Sequence, residues 1–335
     1  MMKYDVYGIG NALVDMEFLV TDDFLKENQI EKGLMTLVES DRQSEILSHL
    51  AQAQEGEIKR QCGGSAANTV IAVSQFGGKS FYSFKIANDE TGKFYLSDMQ
   101  ENGVDTKNTE SNLPVGETGK CLVMVTKDAE RTMNTFLGIT ASLDESQIDE
   151  EALKNSQWLY IEGYLVASET GQKAAIKAVE LAKANGVKTS LTMSDPNMVK
   201  FFRDNMLQII GDGLDLIFCN EAEAMDFTQT SDLDQAREKL KSFAKKFVIT
   251  QGKNGAMIWD GEMFIDIEPH VVEAIDSNGA GDMYAGAFLY GITNGQSYAG
   301  AGALASLASS KIVEQYGPRL KWTQAKEVLN KFKNH

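Results

Sequence analysis

The passage that most constrains this chain is Asp276-Ser277-Asn278-Gly279-Ala280-Gly281-Asp282, which runs straight into the apolar stretch Met283-Tyr284-Ala285-Gly286-Ala287-Phe288-Leu289. An apolar run of that kind after a glycine-rich entrance predicts a buried helix. The small residues at 279–281 let successive backbone N–H groups point into one concavity with no bulky side chain in the way. The helix aims its unpaired first-turn donors and its positive dipole end at the same spot. Such a place binds an anion, and Asp282 sets a carboxylate beside it. A carboxylate next to a phosphate is electrostatically unfavourable unless it takes the proton of a hydroxyl about to attack that phosphate. The competing reading is a helix N-cap, a position that Asp favours.

Bulk properties narrow the classes of partner. A chain of 335 residues, 43% hydrophobic, has enough apolar material for one large α/β domain or two smaller ones. A formal net charge of −16 argues against nucleic acid or an anionic membrane. It leaves room for a phosphate ligand, because glycine nests and Mg²⁺ hold phosphate in acidic proteins. Cys62, Cys121 and Cys219 are far apart, which speaks against a disulfide framework or structural zinc and fits a reducing compartment. No segment approaches the roughly 18 uninterrupted apolar residues of a membrane span, so a soluble cytoplasmic protein is expected. The three histidines, His49, His270 and the terminal His335, are poorly placed for a triad or a multi-histidine metal site. Any general base is then a carboxylate.

Along the chain, short apolar strands alternate with helical stretches. Strand-like runs occur at 5–10, 80–86, 158–163, 187–193, 214–219 and 247–250, with helical patterns at 41–54, 66–76, 171–184, 206–210 and 233–244. Residues 256–259 pair naturally with 263–265. This pattern predicts a doubly wound α/β fold, a mostly parallel sheet with helices on both faces, whose ligands bind beyond the C-terminal strand ends. Part-polar strands at 12–20, 33–39 and 112–137, including a hairpin around 127–130, do not fit a sheet buried on both faces. They predict a small separate β-layer, a lid formed by about 11–40 and 105–140 of one 1–335 domain.

Four further segments carry candidate chemistry. Gly63-Gly64-Ser65-Ala66-Ala67-Asn68 joins close backbone approach to an amide, which suits vicinal hydroxyls; a helix start capped by Ser65 is equally consistent. Asn11 and Asp15 could bind the same hydroxyls. Asn220-Glu221-Ala222-Glu223, after an apolar strand, could hold Mg²⁺ or its waters, or could be an Asx cap with acidic residues on the first helical turn. Arg131 is a candidate phosphate clamp or a solvated arginine. Thr250-Gln251-Gly252 ends a strand and either touches nucleotide or only turns the chain.

Taken together, the Gly63–Asn68 and Asp276–Asp282 motifs resemble the two signatures of the ribokinase (pfkB) family of carbohydrate and nucleoside kinases, and Asn220-Glu221-Ala222-Glu223 resembles its Asn-x-x-Glu motif. The similarity runs from the first strand to the last helices. Gly8-Ile9-Gly10-Asn11-Ala12-Leu13-Val14-Asp15 and Thr192-Met193-Ser194-Asp195-Pro196 are most similar to the family's adenosine-kinase branch. The resemblance implies a ribokinase-like fold and ATP-dependent phosphorylation of a nucleoside 5′-hydroxyl, adenosine first, or of a sugar such as ribose, fructose or a ketodeoxy sugar acid. A non-catalytic nucleoside-binding regulator that kept the pocket is the alternative from another class. It implies Asp282 as base, with Gly279, Ala280 and Gly281 forming the anion hole and Arg131 on the transferring phosphate. Asn11, Asp15, Gly64, Ser65, Asn68 and Asn278 would contact the acceptor, with Phe136, Tyr164 and Met35 around its base. ATP would meet Asn220, Glu223, Thr250 and Gly252, with Mg²⁺ near Glu223 and Asn220 and a monovalent cation such as K⁺ at Asp276. Met35 and Tyr164 depart from the family's usual residues at those positions. A monomer and a homodimer are both compatible with an exposed β-layer.

Overall fold

Continuous apolar runs such as Trp158-Leu159-Tyr160-Ile161 can be satisfied only by strands covered on both faces, and that is where the fold puts them. The computed structural model describes residues 2–53, 59–128 and 130–334. His335, residue 54 of the helix expected over 41–54 and Ala129 of the expected hairpin turn lie outside these. In chain order the first strands are β1 (Tyr4–Ile9), β2 (Leu13–Leu19), β3 (Met35–Leu37), β4 (Lys59–Gly63) and β5 (Ser80–Ser83). Then come β6 (Val104–Asp105), β7 (Thr118–Val125), β8 (Arg131–Gly138), β9 (Ser156–Ile161) and β10 (Lys188–Thr192). The last are β11 (Leu214–Asn220), β12 (Ala244–Thr250), β13 (Ala256–Trp259) and β14 (Phe264–Ile267).

They form two sheets. The nine-stranded sheet has the order β14-β13-β12-β11-β10-β9-β1-β5-β6. Neighbours from β6 to β12 pair parallel, and β13 and β14 close one edge antiparallel. The expected doubly wound sheet is therefore present. Two helices matter most for the site. Ser65–Gln75 and Ala280–Thr293 lie side by side, and Gly286 makes their approach possible: a Cβ there would come 2.6 Å from both Thr69 O and Ala72 Cβ. Among the described residues no helix is long and apolar enough to cross a membrane, and the three cysteines are buried and free.

The second sheet has five strands in the order β3-β8-β7-β2-β4. Its strand β2 alternates as a half-buried strand does, with Val14, Met16 and Phe18 buried and Leu13, Asp15 and Glu17 partly exposed, whereas the central β7 is buried almost throughout. Val14, Met16, Phe18, Leu122 and Met124 join the main core with Ile46, Leu50, Tyr95 and Leu96 from the helices Ser40–Ala53 and Glu90–Glu101. On the opposite face Cys121, Val123 and Val125 form a small cluster with Met133.

Several boundaries differ from the sequence reading. The helix expected at 206–210 begins at Pro196, where Asp195 accepts from Asn197 N and Pro196 supplies a favourable first-turn φ. The helix expected over 233–244 ends at Leu240, and Ala244 opens β12. Strand β4 adds residues beyond 11–40 and 105–140 to the small sheet; as an edge strand with the sequence Lys-Arg-Gln-Cys-Gly it shows no apolar alternation.

Candidate active site

Asp282 is the third residue of the helix Ala280–Thr293, whose N-cap is Gly279 in the left-handed conformation (φ 73°). Its carboxylate therefore does not cap its own helix. It reaches the neighbouring one: Ser65 Oγ donates to Oδ1 (2.6 Å) and Asn68 Nδ2 to Oδ2 (2.9 Å). Burial pushes its pKa up to about 6, while the bonds from Ser65 and Asn68 and the charge of Arg319 pull it back. A carboxylate poised in that range, fixed by two donors at a helix N-terminus, suits a general base. Of the expected anion donors, Ala280 N–H is already engaged by Ser277 O (3.2 Å). Gly281 faces open space.

Ser65 is likewise no cap. The N-cap of its helix is Gly64, with φ 103° and with Asn11 O only 2.4 Å from where a Cβ would stand. Both the dihedral and the contact demand glycine. The missing cap is replaced from a distance by Glu162 at the end of β9, 1% exposed, which accepts from Ala66 N (2.8 Å) and Asn11 N (3.2 Å). Burial raises its pKa to about 7. Glu162 thus ties the Asn11 turn to the Gly64 turn. The sequence reading missed it, and its position beside Gly163 at a strand's C-terminal end was the available signal.

The small sheet turns one face to this cleft. Asp15 packs against Gly63, where a Cβ would meet its Oδ1 at 2.5 Å, and burial raises its pKa to about 7 against the pull of Arg319 and Arg131. Cross-strand pairing puts Asp15, Cys121, Thr135 and Leu37 in one row and Glu17, Val123, Met133 and Met35 in the next. Leu13 shares the face, and so does Leu137 by alternation along β8. Met35 is there at the exposed edge. Phe136 is not. It pairs with Lys120, whose register partner on β2 is Val14, so it belongs to the face covered by helices and cannot flank a ligand in the cleft.

Arg131, on the cleft face of β8, donates to Asp276 Oδ2 (2.6 Å) and lies 3.7 Å from Glu17. Asp276 also accepts from Gly317 N on the same oxygen and from Asn278 N on the other. Tyr164, half-buried in the turn Gly163–Ala167, has its hydroxyl pKa raised by burial, with Asp195, Glu162 and Asp282 adding to the shift. Asn220 and Glu223 form a capping box at the end of β11, Glu223 accepting from Asn220 N (2.9 Å) and Nδ2 (2.8 Å), and burial lifts Glu223 to about 7. Thr250 ends the adjacent β12 and Gly252 opens the turn after it. Among the described residues no three His, Cys, Asp or Glu side chains come together as a metal cage. A second residue missed in the sequence is Arg319, 9% exposed, which donates to Asn68 Oδ1 (2.9 Å) and Asp98 Oδ2 (2.7 Å).

The arrangement is that of a phosphotransferase acting on an alcohol, and comparison with known proteins agrees. Residues 35–325 match the pfkB family of carbohydrate kinases, and the chain belongs to that family. It is similar to the adenosine kinase of Sinorhizobium meliloti, with 34% identity and a TM-score of 0.87 over 97% of this chain and 99% of that one. A probable sugar kinase from Rhizobium etli is 31% identical, with a TM-score of 0.87 over 98% of this chain and 99% of that one. The 5-dehydro-2-deoxygluconokinase of Clostridium botulinum is 30% identical over 252 residues, 70% of this chain and 73% of that enzyme.

Proposed function

We propose that this kinase transfers the γ-phosphoryl group of ATP to the 5′-hydroxyl of a nucleoside, with adenosine the preferred acceptor. The observation that carries the chemistry is the Asp282 carboxylate, held by Ser65 and Asn68 at the positive end of Ala280–Thr293. Asp282 accepts the proton as the hydroxyl attacks. The N–H groups of Gly279 and Gly281 and the helix dipole stabilise charge on the phosphoryl oxygens. Asn11, Asp15, Gly64 and Asn68 line the place of the ribose, and Asn278 stands on the anion loop. Arg131 serves the phosphate by exchanging its Asp276 contact for the incoming charge.

Adenosine is favoured over a free sugar by the partly exposed apolar side chains of the cleft face: Leu13, Leu137, Met133 and Met35, with the Tyr164 ring on the opposite element. A base covers such a wall, whereas a sugar leaves it in water. Asn220, Glu223, Thr250 and Gly252 lie at the C-terminal ends of β11 and β12 and receive the nucleotide. Mg²⁺ supplies charge neutralisation of its phosphates, and the unused lone pairs of Glu223 suit a metal-bound water. Asp276 is paired with Arg131 when no phosphate is present, so a monovalent cation such as K⁺ would take its place there only once Arg131 has turned to the phosphate. The similarity to sugar kinases favours a second reading, a sugar or sugar-acid acceptor. Initial rates with ATP against adenosine, inosine, guanosine, ribose, fructose and 5-dehydro-2-deoxygluconate decide between them. Adenosine should give the highest kcat/KM; a higher value for a free sugar overturns the nucleoside reading and leaves the kinase intact.

A further inference from the structure

The turn Gly317-Pro318-Arg319 lies across both glycine-entered helices. Gly317 N–H donates to Asp276 Oδ2 (2.9 Å), and Pro318 packs so closely on Gly279 that a Cβ there would stand 2.5 Å from Pro318 Cβ. Arg319 goes further in. Nε donates to Asn68 Oδ1 (2.9 Å), Nη1 to Asp98 Oδ2 (2.7 Å) and Nη2 to the carbonyl of Cys62 on β4. The shape of a carboxamide does not decide which end faces which neighbour, since its oxygen and its NH₂ are nearly the same size. Partners decide it. A guanidinium has only donors, so it takes the oxygen of Asn68 and leaves Nδ2–H for Asp282 Oδ2 at 2.9 Å. With the amide turned over, two oxygens would face each other at Asp282. The buried guanidinium is itself tolerated because Asp98 lies against it.

We propose that Arg319 is a positioning residue for the base: by holding the oxygen of the Asn68 carboxamide it turns the Asn68 N–H onto Asp282, with Asp98 as its counter-charge. The inference rests on the reading of Asp282 as base. Its field also favours ionised Asp282 and ionised Asp15, in the direction that both carboxyl groups feel it.

Two experiments test it, one of them independent of any substrate. In a double-mutant cycle, Arg319→Met should lower kcat about tenfold or more while changing the KM for ATP less than about threefold, and Arg319→Met combined with Asn68→Ala should lose no more kcat than Asn68→Ala alone. Multiplicative losses overturn the proposal. In the unliganded protein, the ¹³C-carboxyl titration of Asp282 should move up by about one pH unit in Arg319→Met, and down or not at all in Asp98→Asn, which leaves the guanidinium less compensated. An unmoved midpoint in Arg319→Met, or an upward move in both variants, overturns it. Where Arg319→Met fails to fold, Arg319→Leu combined with Asp98→Leu removes the donor together with its counter-charge and should show the same kcat loss; wild-type kcat in that double variant likewise overturns it. Asp282→Asn run alongside separates the two ideas, since turnover retained there refutes the base and not the carboxamide contact seen by titration.

Discussion

The two sheets are built on opposite rules. Strands of the large sheet are covered on both faces, as β5 and β9 show, and its chemistry stands at strand ends and helix starts. The small sheet is covered by helices on one face, where Leu122 and Met124 are buried; on the other, Cys121 and Val123 pack in a small separate cluster with Val125 and Met133, on the face that also carries Asp15 and Arg131. A two-sided sheet holds catalytic groups rigidly, because moving them means moving the core. A sheet with helices on one face only offers, at the partly exposed positions of its other face, a wall whose composition can change without disturbing the main core. The proposed division is therefore proton transfer and anion binding on the large sheet, and acceptor recognition on the small one.

The sharpest way to break this division is at Asp282. Asp282→Asn should keep acceptor and ATP binding, measured by calorimetry, and lose about 10²–10⁴-fold in kcat, the usual contribution of a positioned base. Near-normal turnover would remove the large sheet's claim to the chemistry. Next in size is Gly64→Ala. Its φ of 103° and the contact with Asn11 O should cost about 1–3 kcal/mol in strain, visible as a lower Tm, together with a higher acceptor KM as the Asn11 turn shifts. A variant with unchanged Tm would show that the turn yields without cost.

How much of this was readable beforehand also divides by sheet. The large sheet's strands announce themselves as apolar runs, and both glycine motifs are visible as residues. That Asp282 and Ser65 are partners rather than caps of their own helices depends on the two helices touching at Gly286, a contact between residues more than 200 positions apart that no local pattern encodes. Glu162 was hidden for the same reason. On the small sheet alternation was legible and its phase was not. Whether odd or even residues of β8 face the cleft is fixed only by pairing with β7, and that is why Phe136 was expected in a place that Leu137 holds.

The phase can be tested by a smaller effect. Leu137→Ala and Tyr164→Ala should raise the KM for the nucleoside several-fold, on the order of 1 kcal/mol each, with the KM for ATP less affected. Phe136→Ala should instead leave both KM values close to wild type, because its register with Lys120 and Val14 sets it on the opposite face from Asp15. A raised nucleoside KM in Phe136→Ala, with wild-type values in Leu137→Ala, would mean that the cleft faces the other side of β8.

The smallest expected effect is on stability against pH, and it distinguishes the two sheets by number of groups. Glu162, Glu223 and Asp282 stand on the large sheet's side and Asp15 on the small one's; burial raises their pKa values to about 7, 7, 6 and 7 from ordinary values of 4.5, 4.5, 3.8 and 3.8. Between roughly pH 4 and 7 the folded protein keeps protons that the unfolded chain has released. The stability they supply is full below that window and is lost as pH rises through 6 to 7. Tm should therefore be higher at pH 5.5 than at 7.5, by about 2–5 °C for a chain of this size. Activity should run the other way, with kcat/KM falling as pH drops through the Asp282 value near 6. Lower self-repulsion in this acidic chain also favours the low-pH state, so the decisive comparison is between variants. Glu162→Gln and Asp15→Asn should each flatten the Tm profile by one titrating group while leaving the acid limb of activity close to that of Asp282. A Tm that rises with pH in the wild type, or profiles that neither substitution alters, would mean that these carboxyl groups are ionised in the folded protein well below pH 6.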